Sequence, residues 1–256
     1  MADGVVLAEL FASSARYEIL RELTQSPKTV SELEETVSAT RRTVLRNLNQ
    51  LEKEGWIRQS NDRMYLAPLV ETAVTDFVGE IERAEKLQEL TTIARYAPGY
   101  FEDVSTDILI ECDVNLREPS YPNGPLEKVI EIIRSATEVH TFVPAVTQQF
   151  LDAHRTVLER DQQVELIIGS AGLEGIRSSN LVDLSTTFGD VIYAYDEFTE
   201  PIGLVRTDDH VVVIVYDEHS TVHGIVFGNH EQFLAWGTSL YEKYRKNASV
   251  VSQTDR

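Results

Sequence analysis

Five polar residues close together in the sequence are able to recognise the bases of a nucleic acid. Arginine and asparagine present hydrogen-bonding groups in a fixed fork, which matches the base edges exposed in the major groove of DNA. Residues four apart in a helix lie on the same side, so Arg42 and Arg46 should project together. The spacing predicts a base-reading surface made of Arg41, Arg42, Thr43, Arg46 and Asn47.

The helix that must position these residues has clear boundaries in the sequence. Thr40 is a good helix-capping residue, and Gly55 is typical of the position just past a helix end. Thr40, which begins the helix, is included among the predicted DNA-binding residues. Apolar residues recur at intervals of four and three, which predicts a buried face made of Val44, Leu48 and Leu51.

The neighbouring elements predict a winged helix-turn-helix over residues 1–66. A first helix is predicted at 14–23, and Thr29 with Glu32 forms a capping box before a second, short helix. A turn at 60–62 separates two short β-type runs, which predicts a hairpin, the wing. Arg63 begins the second hairpin strand and is predicted to bind a DNA phosphate.

The charge of the chain is distributed unevenly. The 256 residues include 42 acidic and 23 basic ones, a formal net charge of −19. Residues 1–66 carry a net charge of −1, residues 67–256 carry −18, and residues 39–66 carry +3. Such acidity argues against a protein that coats nucleic acid or an anionic membrane with its whole surface. The local positive charge predicts a contact with a polyanion.

Composition also predicts the environment of the protein. The basic residues are 6 lysines and 17 arginines, and a lysine-poor, acid-rich chain is typical of salt-loving cells, the alternative being an acidic mesophilic protein. The single cysteine, Cys112, excludes an internal disulfide and a cysteine-based zinc site. Neither a signal peptide nor an apolar run of membrane-spanning length is present, so a cytoplasmic location without membrane contact is expected.

The first quarter of the chain resembles archaeal winged-helix transcription regulators. The resemblance is carried by residues 29–37 and by residues 40–57, which include the arginine-rich helix and its glycine stop. It implies double-stranded DNA as the partner.

A long helical pattern follows, and residues 67–98 are predicted to form a linker or dimerisation helix. Its stripe residues step by roughly three and four: Val70, Val74, Phe77, Ile81, Ala84, Leu87 (or Gln88) and Leu90. This stripe could pair with a second copy of the chain or pack on the chain's own C-terminal domain. A homodimer is expected in either case, because two reading heads on a two-fold operator increase affinity through effective concentration.

Residues 99–250 alternate between strand and helix patterns and end in a β-meander and a final helix. This order predicts an α/β domain, so that the whole chain is α+β, and residues 251–256 are predicted to be a disordered tail. The apolar run at 107–112 is interpreted as a strand, with Cys112 as a small buried hydrophobic residue.

Three segments of this domain are similar to a known family of regulators. Residues 201–210, 211–217 and 234–245 resemble helix-turn-helix regulators of halophilic archaea that carry the middle domain first named for a methanogenesis regulatory protein, related to TrmB-like regulators. The resemblance implies a sensing or dimerising domain with a phospholipase-D-like fold.

No catalytic residues, cofactor or metal ligands are predicted. The phospholipase D reaction needs a His-x-Lys pair, and none of the six histidines has a lysine two residues later, so a domain of that fold should be catalytically inactive. His219 and His223 would share a face only in a helix, and they lie in a predicted turn.

An effector site is expected where the strands of an α/β sheet end. The candidates are Pro144, Gly169, Ser170, Tyr193, Tyr195 and Asp196. The sequence as a whole predicts a sequence-specific, dimeric DNA-binding transcriptional regulator whose C-terminal domain senses a small molecule or mediates dimerisation. The alternative is a winged-helix protein-interaction module without its own operator.

Overall fold

The structure is a computed structural model that describes residue 10, residues 13–179, residue 188, and residues 191–196, 201–217 and 221–251. Its chain divides into two units, Met1–Glu85 and Lys86–Arg256. The predicted disordered tail lies outside the described residues, apart from Val251, and so does His219.

The first unit is a winged helix-turn-helix, as predicted. Its elements in chain order are α1 (Ser14–Gln25), β1 (Lys28–Thr29), α2 (Val30–Thr36), α3 (Arg41–Lys53), β2 (Ile57–Ser60) and β3 (Arg63–Leu66). The strands pair antiparallel in the order β1-β3-β2. A further helix, α4 (Glu71–Ala94), begins in this unit and ends in the next.

Local sequence signals account for the turns of this unit. The Thr29 hydroxyl accepts a hydrogen bond from the Glu32 backbone N–H (3.2 Å), and the Glu32 carboxylate accepts one from the Thr29 N–H (2.6 Å), which confirms the capping box. Gly55 ends α3 with a φ of +80°, a conformation that glycine adopts without strain. Asn61 and Asp62 also have positive φ and form the two-residue hairpin turn between β2 and β3.

The second unit is built on one mixed eight-stranded sheet, so the predicted α/β class is confirmed. Its strands are β4 (Asp113–Leu116), β5 (Glu138–Val143), β6 (Gln163–Gly169), β7 (Ile192–Tyr195), β8 (Ile202–Thr207), β9 (Val211–Tyr216), β10 (Val222–Gly228) and β11 (Ser249–Val250). They lie in the order β11-β7-β6-β5-β8-β9-β10-β4. Strands β5, β6 and β7 are parallel, and β8, β9 and β10 form the expected antiparallel meander.

Helices bury both faces of this sheet. Among the described residues, the other helices are α5 (Thr106–Glu111), α6 (Gly124–Ser135), α7 (Gln148–Leu158), α8 (Ser170–Ser179) and α9 (Glu231–Arg245). One hydrophobic core joins the sheet to α6, α7 and α8, and a second joins it to α5, α9 and the end of α4. This burial explains why the central strand β9 is apolar on both faces.

The predicted strand at 107–112 is wrong, because residues Thr106–Glu111 form helix α5. The carbonyl of Ser105 accepts hydrogen bonds from the N–H groups of Ile108 and Leu109, which starts the helix. A short continuous apolar run does not distinguish a strand from a buried helical turn. Cys112 follows α5 and is 1% exposed, and burial raises the pKa of its thiol to about 12. It is therefore an inert packing residue.

The apolar stripe of α4 is covered at its two ends by the chain itself. Val74 and Val78 are buried in the core of the first unit, and Leu90 and Ile93 are buried in the second. These four residues therefore have no free apolar surface for pairing with a second copy. None of the described helices combines the length and hydrophobicity that crossing a bilayer requires.

Candidate nucleic-acid interface

The start of α3 is fixed by two threonines. The Thr40 hydroxyl accepts a hydrogen bond from the backbone N–H of Thr43 (3.4 Å) and lies 3.0 Å from the Thr43 hydroxyl. These contacts satisfy one of the N–H groups that a helix start leaves unpaired. The two threonines thus hold the first turn of α3 in place, with Arg41 and Arg42 exposed between them.

One exposed side of α3 is basic, and we call it the α3 surface. It includes three of the predicted arginines together with four residues that the sequence analysis did not select. Its lining residues are Arg41, Arg42, Leu45, Arg46, Asn49, Gln50 and Lys53. Because 42, 46, 49 and 53 are separated by three or four residues, helical spacing from the predicted arginines would have found the missing ones.

Asn47 does not belong to the α3 surface, and the expectation that it reads base edges needs correction. The residue is only 4% exposed and lies on the face formed by Val44 and Leu51. Its amide donates to the Thr43 carbonyl (2.9 Å), and its side-chain oxygen accepts from the Arg16 Nε (3.3 Å). Position 47 lies three residues after Val44 and four before Leu51, so the apolar periodicity already placed it on the buried side.

Two of the predicted DNA-binding arginines contact acidic residues of the protein. The Arg41 Nε lies 3.3 Å from a carboxylate oxygen of Glu34. Arg63 donates to the carbonyl of Pro27 (2.7 Å) and lies 3.4 Å from the Glu32 carboxylate. Arg63 therefore links the wing to the capping box, although its side chain is 45% exposed.

Arg42 and Arg46 are different, because no carboxylate of the described residues forms an ion pair with either guanidinium. Both side chains are exposed on α3, where they are four residues apart. Two like charges at this spacing repel each other by a few tenths of a kcal/mol. An anion placed between them would remove this repulsion, so the α3 surface is suited to bind phosphates and base acceptors.

The predicted effector residues lie at the ends of β5, β6 and β7, and five of them are close together. Gly169 is paired in register with Tyr195, and the Ser170 hydroxyl donates to the Asp196 carboxylate (2.5 Å). Pro144 follows β5 and packs so close to α8 that its carbonyl would lie 2.4 Å from a Cβ at Gly172.

Tyr193, the sixth predicted residue, is involved in a different group. The Arg245 guanidinium lies 3.6 Å from the centre of its ring. Around it lies a polar cluster, which we call the sheet cluster: Glu138, His140, Glu165, Arg206, Tyr241 and Arg245. Arg206 pairs with Glu138, and Arg245 (3.3 Å) and the Tyr241 hydroxyl (2.9 Å) both contact Glu165. Each of its arginines therefore has a carboxylate partner.

Buried His154 has a structural role. Its Nδ1 donates to the Phe150 carbonyl (2.9 Å), which leaves Nε2 to accept a hydrogen bond from the Thr141 hydroxyl (2.8 Å). Burial lowers the pKa of this imidazole to about 4, so it is neutral in the folded chain. Within the described residues, no three histidine, cysteine or acidic side chains are grouped so that they could hold a metal ion.

Comparison with known families supports a regulatory protein. Residues 122–247 match the family described as the methanogenesis regulatory protein FilR1, middle domain. This match confirms the resemblance to regulators that carry this middle domain. Residues 6–86 match a second family, the HVO_A0261 N-terminal domain. The two matches divide the chain much as its two units do, and no curated protein matches it.

The solved structures that are distantly similar to this chain include the following three. TrmBL2, an archaeal chromatin protein reported to show a novel mode of DNA binding, is 16% identical over 95% of this chain and 97% of its own, with a TM-score of 0.43. NucT from Helicobacter pylori is 13% identical over 54% and 98%, with a TM-score of 0.44. Nuc from Salmonella typhimurium, a phospholipase D family member, is 12% identical over 56% and 100%, with a TM-score of 0.40. At these TM-scores, none decides the function of this chain.

Proposed function

We propose that this protein is a sequence-specific DNA-binding transcriptional regulator that inserts the α3 surface into the major groove. The observation that carries the proposal is the pair Arg42 and Arg46, which are exposed, four residues apart and without a carboxylate partner among the described residues. Acidic residues outnumber basic ones by 42 to 23, so carboxylates are abundant as partners. Two such arginines side by side on one helix face, within the segment 39–66 that carries +3, favour an anionic ligand.

The residues on and beside the α3 surface have three different roles in this proposal: base contact, phosphate contact and positioning of the helix. Arg42 and Arg46 hydrogen-bond to base acceptors, and Asn49 replaces Asn47 as the asparagine able to bind an adenine edge. Arg41, Lys53 and Arg63 contact phosphates, which fix the position of the protein on the duplex without reading sequence. Thr40 and Thr43 hold the helix start that presents these groups.

We further propose that the regulator acts as a homodimer in the cytoplasm of a salt-loving archaeon and that its second unit senses a small molecule. Two copies place two α3 surfaces on one two-fold operator, which increases affinity through effective concentration. The match to a middle domain of a regulatory protein supports a sensing role for the second unit. Enzymatic activity is not part of the proposal.

The test is genome-wide crosslinking of the protein to DNA, followed by binding titrations on the recovered sites in molar KCl. In the double variant Arg42→Ala/Arg46→Ala, loss of two base contacts of about 1–3 kcal/mol each should reduce operator affinity roughly 30-fold or more. The variant Arg134→Ala is the matched control, because it removes an exposed arginine of α6 in the second unit. It should bind as the wild type does.

Thermal melting separates loss of contact from loss of fold. The double variant should melt with the wild type, since exposed substitutions away from the core change stability by about 0.5 kcal/mol or less. If it keeps operator affinity, or if the wild type shows no localised occupancy, the α3 surface is not a DNA reader. The chain would then be a winged-helix protein-interaction module.

A further inference from the structure

A cavity of about 310 Å³ lies in the second unit, next to Pro144, although none of the six predicted effector residues lines it. It is located just beyond the carboxyl end of β5, between the starts of α6 and α7 and beside β9 and β10. Its lining residues are Pro122, Asn123, Leu126, Ala145, Val146, Thr147, Phe150, Ile214, Tyr216, Thr221 and Val222. None of these side chains is charged, and most are apolar.

One polar group in this lining has no partner. Tyr216 is 8% exposed, yet no described residue forms a hydrogen bond with its hydroxyl. The hydroxyl oxygen itself is not fully enclosed by the protein and can be reached from the cavity. A ligand in the cavity could therefore accept a hydrogen bond from Tyr216.

Gly203 makes room for the tyrosine hydroxyl. A Cβ at position 203 would lie 2.9 Å from Val143 Cγ1 and 3.2 Å from the Tyr216 hydroxyl oxygen. Glycine on the neighbouring strand β8 therefore leaves the space that the end of the ring occupies. Burial raises the pKa of Tyr216, which keeps the hydroxyl protonated and able to donate.

We propose that this cavity binds a neutral, largely apolar small molecule that carries an oxygen atom able to accept a hydrogen bond from Tyr216. The volume is at the lower end of the range of ligand pockets, about 300–1,000 Å³. It is also roughly twice that of an engineered cavity that holds benzene, so a molecule of two fused rings fits. A charged ligand is disfavoured, because the described residues of the lining offer no countercharge for its desolvation.

The assignment rests on the proposed function only in calling this ligand the effector of the regulator. Binding itself is tested without DNA. The probes are three compounds of one size: indanone, a neutral bicyclic ketone; indane, which lacks the oxygen; and indane carboxylate, which carries a charge. Each is titrated against the full chain by ligand-observed NMR in molar KCl.

Indanone should bind most tightly and the carboxylate least. Tyr216→Phe keeps the ring but removes the hydroxyl, so it should weaken indanone binding roughly two- to tenfold, the range for one net hydrogen bond. The same variant should leave indane binding unchanged. Val222→Trp, at the half-exposed rim, should block both neutral compounds by filling the cavity.

Absence of indanone binding to the wild type would overturn the proposal, and so would equal binding to Tyr216→Phe or tighter binding of the carboxylate. Melting curves exclude unfolding, and because Tyr216→Phe adds no atoms, it serves as the variant least able to disturb the fold. The DNA-binding variant Arg42→Ala/Arg46→Ala should bind indanone as the wild type does. The experiments therefore distinguish a failure of the ligand-binding proposal from a failure of the DNA-binding proposal.

Discussion

The α3 surface and the sheet cluster both collect arginines, but they use them in opposite ways. In the sheet cluster, Arg206 and Arg245 each contact a carboxylate. On the α3 surface, Arg42 and Arg46 have none among the described residues. A cluster of unpaired cations on one helix face, rather than arginines as such, is therefore the feature on which the proposed anionic partner of the α3 surface rests.

The largest effect on stability should come from buried His154 and should appear as a dependence on pH. The folded imidazole has a pKa of about 4, against about 6.5 in the unfolded chain. As pH falls from 6.5 to 4, the unfolded chain takes up a proton that the folded chain does not, so stability decreases. The second unit should lose about 3 kcal/mol in this way.

Chemical denaturation at several pH values measures this loss. The variant His154→Gln carries no titrating group at position 154, so its stability should vary less with pH between 6.5 and 4 than that of the wild type. Equal pH dependence in both proteins would show that the folded His154 accepts a proton. The second unit would then hold a buried unpaired charge, and the contrast with the α3 surface would fail.

Asn47 and Asn49 test the same contrast, between a residue used for the fold and one used for a partner, within a single helix. Asn47→Ala removes two part-buried hydrogen bonds and should destabilise the first unit by about 1–2 kcal/mol. Asn49→Ala changes an exposed side chain and should alter stability by less than about 0.5 kcal/mol, while reducing discrimination between operators. Denaturation and DNA titration of the two variants measure both quantities. Equal stability losses would contradict the assignment of the two asparagines to opposite faces.

The smallest effect should come from Arg63, whose guanidinium already contacts Pro27 and Glu32. Arg63→Ala should reduce the affinity for operator DNA and for non-operator DNA by the same small factor. It should also reduce the slope of log affinity against log salt concentration by about one. Titration over a range of salt concentrations tests this. A selective loss of operator binding would show that the wing reads sequence.

Much of the first unit could be predicted from the sequence, because its signals are local. The cap at Thr40, the capping box at Thr29 and the glycine at position 55 each act within a few residues. Asn47 is polar, which is typical of an exposed residue, but its spacing from Val44 places it on the buried face of α3. The helical periodicity of the apolar residues is therefore a better guide to its exposure than its residue type.

The second unit was less predictable because its decisive contacts join distant segments. The run at 107–112 is apolar enough for either a strand or a helix, and only packing on the sheet determines which forms. The cavity beside Tyr216 is assembled from α6, α7, β9, β10 and the residues after β5. No spacing within a single segment shows that these side chains meet.

The two faces of α3 have a consequence for how such a protein can diversify. Packing depends on Val44, Leu48 and Leu51, whereas the residues proposed to contact bases make almost no contribution to the core. If the α3 surface reads DNA as proposed, substitutions at positions 42, 46 and 49 would alter the preferred operator while the domain still folds. A duplicated copy of this chain would then acquire a new set of target genes through a few exposed changes in one helix.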